Sequence, residues 1–244
     1  MMYEPVKTSK AGFVDVEAGA GLYPGISSDE NTLRWGFIRK VYGIVSTQLL
    51  LSMIVAAVVV FNTPVSLFFA QMPGLYFFMS FLPLILLIPL YYYQQKHPVN
   101  LVLLGFFTVS LSLTVGVSCA FTRGELVLEA LVLTATVTLG LTAYTYWASK
   151  KGYDFNFLGP VLFVAVITLI LWSLIQVFFP ASKLSMSIYG GIATVIFSAY
   201  IVYDTDNLIK RFNYDEYIWA SVSLYLDILN LFLSILNILR AQSN

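Results

Sequence analysis

Two aspartates in this chain stand where an acid is costly. Asp204 lies seven residues before Arg211, about 10 Å into an apolar stretch if that stretch is helical, and Asp227 lies ten residues after Tyr217, about 15 Å into the next. An ionisable group in the middle of a membrane helix costs about 2.5–3.5 kcal/mol on insertion scales, so each is a functional candidate by position alone. Only the segment KRFNYDE separates the two stretches. If they pack side by side, the carboxyl groups meet at similar depth. Two adjacent carboxylates in a low dielectric resist ionising together and tend to share one proton, titrating as a coupled pair. That is the chemistry of a pH sensor. It is also a weak metal site: calcium takes about 6–8 oxygen ligands, so Asp204 and Asp227 would hold it only transiently, with carbonyls and waters completing the shell. Transient coordination suits permeation better than storage. The plain alternative is a polar clamp between helices that contributes about 1 kcal/mol and passes no ion.

The neighbours of the pair favour an inward-facing site. Ser223, Asp227, Asn230, Ser234 and Asn237 follow at helical spacing and draw one polar stripe along the last apolar segment. Gly190, Ala193, Phe197, Tyr200 and Asp204 share a face of the segment before it, which places the Tyr200 phenol one turn from Asp204 as a hydrogen-bond candidate. Ser223, Tyr200, Asn230 and Asp206 are therefore the accessory residues of the site. Asp206, Asp215 and Glu216 otherwise read as solvated charges near the end of the helix. Thr134, Thr138, Thr142 and Thr145 line another stretch, but such hydroxyls commonly bond their own backbone one turn back. Glu125 and Glu129 open that stretch, where acids complement the helix dipole. His97 has no second His or Cys near it, and the single cysteine, Cys119, lies in an apolar run and excludes an intramolecular disulfide framework. The sequence contains no HExxH, GxSxG or phosphate-loop pattern. Nothing nominates an enzyme or a bound cofactor; calcium enters only as a permeant ion.

The elements that must carry these residues are membrane helices. Of 244 residues, 59% are hydrophobic and 11% charged, with a mean hydropathy of +0.81, whereas soluble domains carry about 25% charged residues. Thirteen basic and thirteen acidic residues cancel, leaving no field for a nucleic-acid partner. From Val41 to Gln95 the chain has no Asp, Glu, Lys or Arg. One crossing needs only about 20 residues, so this run holds two spans, near 41–61 and 74–93, with a turn marked by Asn62, Pro64, Pro73 and Gly74 and kinks expected at Pro83 and Pro89. Charge-free runs at His97–Thr122, Ala130–Ser149, Phe155–Ser182 and Leu184–Tyr203 supply four more. Tyr217–Leu239, interrupted only by Asp227, is a seventh that either crosses fully or re-enters. The expected fold is all-α: a polytopic bundle of seven transmembrane helices over residues 34–244, preceded by a flexible tail over 1–33 that lacks the apolar core of a cleaved signal. Arg34, Arg39, Lys40, Lys96, Lys150, Lys151, Lys210 and Arg211 fall on one side and Arg123, Lys183 and Arg240 on the other. The excess of basic residues places the amino terminus in the cytosol.

The stretch YDTDNLIKRFNYDEYIWASVSLYLDILNLFLSILNILR resembles the carboxyl-terminal signature of the Bax inhibitor motif family, in particular its Lifeguard branch as found in plants. FIRKVYGIVSTQLLLS at the first span, TAYTYW at the end of the fourth and DFNFLGPVLF opening the fifth extend the resemblance over residues 34–240. The resemblance implies seven helices in an endoplasmic reticulum, Golgi or vacuolar membrane, a pH-sensitive calcium leak, and suppression of programmed cell death. The family's paired aspartates fall on Asp204 and Asp227. The chain departs from the family in two places: it reads YDTDN where many members read YDTQ, adding Asp206, and it has no Lys or Arg between Lys40 and Lys96 to match the second-helix arginine of bacterial relatives. The competing expectation is a non-conducting membrane regulator that acts through cell-death or stress-signalling membrane proteins, with the aspartates serving helix packing alone.

Overall fold

The computed structural model describes residues 21–179 and 182–243. Eight helices follow in order: α1 (Ser28–Phe61), α2 (Thr63–Gln71), α3 (Pro73–Tyr93), α4 (Val99–Ala120), α5 (Gly124–Lys150), α6 (Leu158–Phe178), α7 (Lys183–Lys210) and α8 (Tyr217–Ser243). No strand occurs among the described residues. All but α2 are long and apolar enough to cross a membrane, which yields the seven-span all-α bundle expected from the charge-free runs. α1 starts well before the first apolar run. Ser27 caps it by accepting from the Glu30 N–H at 3.3 Å, and Asp29 and Glu30 sit in its first turn, where acids suit the helix dipole. At 34 residues it is about 51 Å long, well beyond the roughly 30 Å hydrocarbon layer. The boundary expected at residue 34 is therefore corrected: 28–33 is helix, and Leu22 ahead of it is 1% exposed and part of the core. Residues 1–20 of the expected tail lie outside the described residues. The turn expected between the first two spans is itself a short helix, α2, with Pro64 in its first turn, where a missing N–H costs nothing.

α8 is the centre of the bundle. Its buried side chains run from Ile218 to Leu236, and α7, α5, α1 and α4 all pack on it. At 27 residues, about 40 Å, it is long enough to cross the hydrocarbon layer in full. α7 and α8 are antiparallel, and their close approach requires Gly190. A Cβ there would stand 2.8 Å from Ile238 Cγ1 and 3.0 Å from the Ser234 carbonyl oxygen, the small-residue contact by which membrane helices approach when hydrophobic driving force is absent. α3 and α6 lie outermost: α3 meets α4, and α6 meets α7, so each leaves most of its apolar surface exposed, as lipid contact requires.

Candidate functional site

The α7–α8 hairpin sets the site. Its turn is braced from three directions. Asn213 and Glu216 form a reciprocal cap, with the Asn213 N–H donating to Glu216 Oε2 at 2.8 Å. From α1, Arg34 Nη1 donates to the Phe212 carbonyl at 2.5 Å, and its guanidinium stands 4.7 Å from the Tyr214 ring centre. The third brace comes from the α5–α6 loop. α5 ends in a reversed turn in which the Gly152 N–H donates to Ser149 O (2.9 Å) and the Tyr153 N–H to Ala148 O (3.1 Å); this needs the left-handed backbone that Gly152 adopts at φ +83°. The turn delivers Tyr153, Asp154 and Phe155 to the end of α7. There the Tyr153 carbonyl accepts from Lys210, Asp154 pairs with Arg211, and the Phe155 N–H donates to Asp206 Oδ2 at 3.2 Å.

Asp204 and Asp227 face each other within this frame. Their carboxyl groups interact side chain to side chain across the α7–α8 contact, as the spacing of the two stretches leads one to expect. Asp227 is 6% exposed and its Oδ2 has no hydrogen-bond partner, while Asp204 is partly buried and accepts from Asn207 Nδ2 at 3.5 Å. No lysine or arginine side chain pairs with either acid among the described residues. The pair is thus a deep, uncompensated acid site. No group of three or more His, Cys, Asp or Glu able to hold a metal occurs among the described residues, so a cation at Asp204 and Asp227 would draw its remaining ligands from carbonyls and water.

The accessory residues divide. The Tyr200 phenol lies beside both carboxylates, but Asp204 takes its hydrogen bond from Asn207, and the Tyr200 ring stacks on Phe197 at 6.2 Å. On α8, Asn230 Nδ2 donates to the Leu226 carbonyl (2.9 Å) and Ser234 Oγ to the Asn230 carbonyl (2.6 Å), so both satisfy their own helix. Ser223 is half-buried on the same stripe. Asp206 is a correction: it is not a solvated charge but 0% exposed, paired with Lys210 through Oδ1 and with Arg211 Nη1 through Oδ2 at 2.9 Å. It points away from the dyad, and it consumes the two cations nearest in sequence to Asp204. Thr134 and Thr145 bond the carbonyls of Ala130 and Leu141, one turn back.

Two polar clusters were not singled out from the sequence. Between α1, α4 and α8, Gln48 Nε2 donates to Thr108 Oγ1 (3.0 Å), Ser112 Oγ donates to Ser52 Oγ (2.9 Å), and Ser52 meets the Tyr225 hydroxyl at 2.6 Å, all of them buried. The signal was present: Gln48 and Ser52, like Thr108 and Ser112, are polar pairs one turn apart inside charge-free runs. Where α1, α5 and α7 meet, the hydroxyls of Tyr42, Thr142, Tyr146 and Thr205 gather, the last beside Asp204 in sequence. The Tyr42 and Thr205 hydroxyls are buried without partners. Tyrosines in a hydrophobic helix read as apolar bulk, which hid them.

A sequence model of the family described as "Inhibitor of apoptosis-promoting Bax1" matches residues 34–244. The chain is 61% identical over 234 residues to a BI1-like protein of Arabidopsis thaliana, covering 95% of this chain and 91% of that one. It is 57% identical over 235 residues to Protein LIFEGUARD 4 of the same plant, covering 93% and 95%. A Golgi anti-apoptotic protein of Vaccinia virus (strain Lister) is 37% identical over 220 residues, covering 89% and 90%.

Proposed function

The chain belongs to the family of inhibitors of apoptosis-promoting Bax1, and from that premise we propose that it suppresses programmed cell death by running a pH-sensitive calcium leak through an intracellular membrane. The relatives carry names of cell-death regulators and not of enzymes. The observation that carries the ionic part is the dyad: Asp204 and Asp227 face each other on adjacent helices, Asp227 is buried with one oxygen unpartnered, and no cation among the described residues compensates them. Two such acids share a proton at low pH and leave no anionic site; as pH rises the pair ionises and becomes attractive to a divalent cation. The leak is therefore closed in acid and opens toward alkaline pH. The unpartnered hydroxyls of Tyr42 and Thr205 supply polar surface between the basic end of the bundle and the dyad. The membrane is that of the endoplasmic reticulum, Golgi or vacuole, with the amino terminus in the cytosol. The viral relative's name points to the Golgi for that protein.

The test is calcium efflux from liposomes that hold the purified protein, over roughly pH 5 to 8. The expected result is efflux that rises with pH, and a profile flattened by Asp204→Asn or Asp227→Asn, each of which removes one titrating group. Parental rate and pH dependence in both variants would sink the gate. No efflux above empty liposomes would leave a non-conducting regulator working through membrane-protein partners, with the acids as a packing clamp.

A further inference from the structure

A trough runs down the outside of the bundle between α1 and α4. It encloses about 330 Å³, and its lining includes Arg39, Lys40, Gly43, Leu51, Leu104 and Gly105. It is made by missing side chains: a Cβ on Gly43 or on Gly105 would meet no atom within 4 Å. Its deep wall is closed by the Gln48–Thr108 hydrogen bond (3.0 Å). From Arg39 to Leu51 the trough follows α1 for about 18 Å, close to half of the roughly 30 Å hydrocarbon layer. Its charged end lies where the charge-free run begins, at Val41, which is the level of lipid headgroups.

Among the described residues, neither cation at that end has an ion-pair partner. The nearby acids Asp206 and Asp154 pair with Lys210 and Arg211 and not with Arg39 or Lys40. Glu30 accepts from the Tyr23 hydroxyl and Glu216 from Asn213. Arg39 and Lys40 are both exposed, and the Lys40 ammonium is held 3.1 Å from the Tyr217 ring centre, which fixes it at the α1–α8 edge of the trough. Two exposed cations, one of them held on a ring, above an apolar trough about one leaflet deep call for an occupant with an anionic head and a hydrocarbon tail.

We propose that the α1–α4 trough binds one anionic phospholipid of the surrounding leaflet, its phosphate between Arg39 and Lys40 and one acyl chain lying over Gly43 and Gly105. This site is separate from the dyad and holds whether or not the dyad passes an ion. The test uses the full chain reconstituted in phosphatidylcholine vesicles with a minor fraction of phosphatidylglycerol, released gently and weighed intact by native mass spectrometry. The expected result is one phosphatidylglycerol retained per chain in excess of its share of the bilayer. Affinity falls about thirtyfold in the double variant Arg39→Gln/Lys40→Gln, since each basic residue near the surface contributes about 1 kcal/mol toward an anionic lipid. Retention is also lost in Gly43→Leu/Gly105→Leu, which sends side chains into the trough from positions where a Cβ meets no atom within 4 Å and replaces helix-weak glycines with a good helix former. Lys150→Gln/Lys151→Gln removes the same charge from the same end of the bundle and leaves retention unchanged. Circular dichroism and thermal unfolding of each variant confirm that the helices are intact. The proposal is overturned if phosphatidylcholine is retained as readily, if the Lys150/Lys151 variant loses as much lipid, if the filled trough still holds phosphatidylglycerol, or if the chain is recovered as a lipid-free dimer.

Discussion

Asp206 stands two residues from Asp204, yet the two acids have different fates. One faces α8 and another acid; the other faces the α5–α6 loop and is neutralised by Lys210 and Arg211. The i,i+4 spacing to Lys210 was visible in the sequence, but the closure of the 151–157 loop over it depends on the Gly152 turn and could not be read from spacing. Removing one member of a fully buried ion pair costs about 3–5 kcal/mol. Here the cations keep some contact with solvent, 15% for Lys210 and 30% for Arg211, so Asp206→Ala should cost about 2–3 kcal/mol. Thermal unfolding in detergent measures this, and an unchanged midpoint would mean that the clamp is ornamental. The clamp should not contribute to the pH response of efflux. The Asn156 N–H, and after it the Arg211 guanidinium, hold the Asp154 carboxyl below the usual carboxylate range. A group whose folded value is depressed stabilises at pH above its unfolded value of about 4 and loses that contribution only as pH falls through the folded value. Across the efflux assay Asp154 stays ionised, so Asp154→Asn should leave the shape of the pH profile unaltered, whereas Asp227→Asn should flatten it.

At the scale of helices, the legible features were the ones set by hydrophobic run length, and the hidden ones were set by packing. Seven spans followed from charge-free runs, but the true start of α1 did not, because Ser27, Asp29 and Glu30 extend it in a polar segment through capping rather than hydrophobicity. The central place of α8 was half visible: its polar stripe announced an inward face, yet only the structure shows that it packs on α1, α4, α5 and α7 while the face of Ser223, Asn230 and Asn237 stays half-buried. The α7–α8 contact makes a sharp prediction. Gly190→Ala sets a methyl against Ile238 and the Ser234 carbonyl, and overpacking of this kind costs about 1–3 kcal/mol. Because the dyad lies on the same interface, the variant should also change the pH dependence of efflux. Gly191→Ala, next in sequence but with open space at its Cβ, should leave efflux unchanged and should not lower stability, since alanine is the better helix former; a matching loss in both variants would rule out the Ile238 and Ser234 contacts as the cause.

For the whole molecule, the antiparallel course of the spans brings Arg34, Lys150, Lys151, Lys210 and Arg211 to one end; contacts from Arg34 to Phe212 and from Lys210 to Tyr153 tie that end together. Cysteines introduced in a Cys119→Ser background should report the resulting asymmetry. In sealed vesicles with the cytosolic face outward, Lys151→Cys reacts with an impermeant maleimide and Arg123→Cys does not; the reverse pattern would invert the orientation read from basic-residue bias. The position of α8 in the chain also orders events during synthesis. The helix around which the others pack leaves the ribosome after all of them. Until it arrives, Ser52 and Ser112 bond only each other and the carbonyls of Gln48 and Thr108 on their own helices, and the cleft that Tyr225 will fill is lined with hydroxyls facing lipid. A chain stalled before Asn213 would thus be inserted but unfinished, six spans around a vacant axis, and that exposed polar seam is the kind of feature by which membrane quality control tells a nascent protein from a completed one.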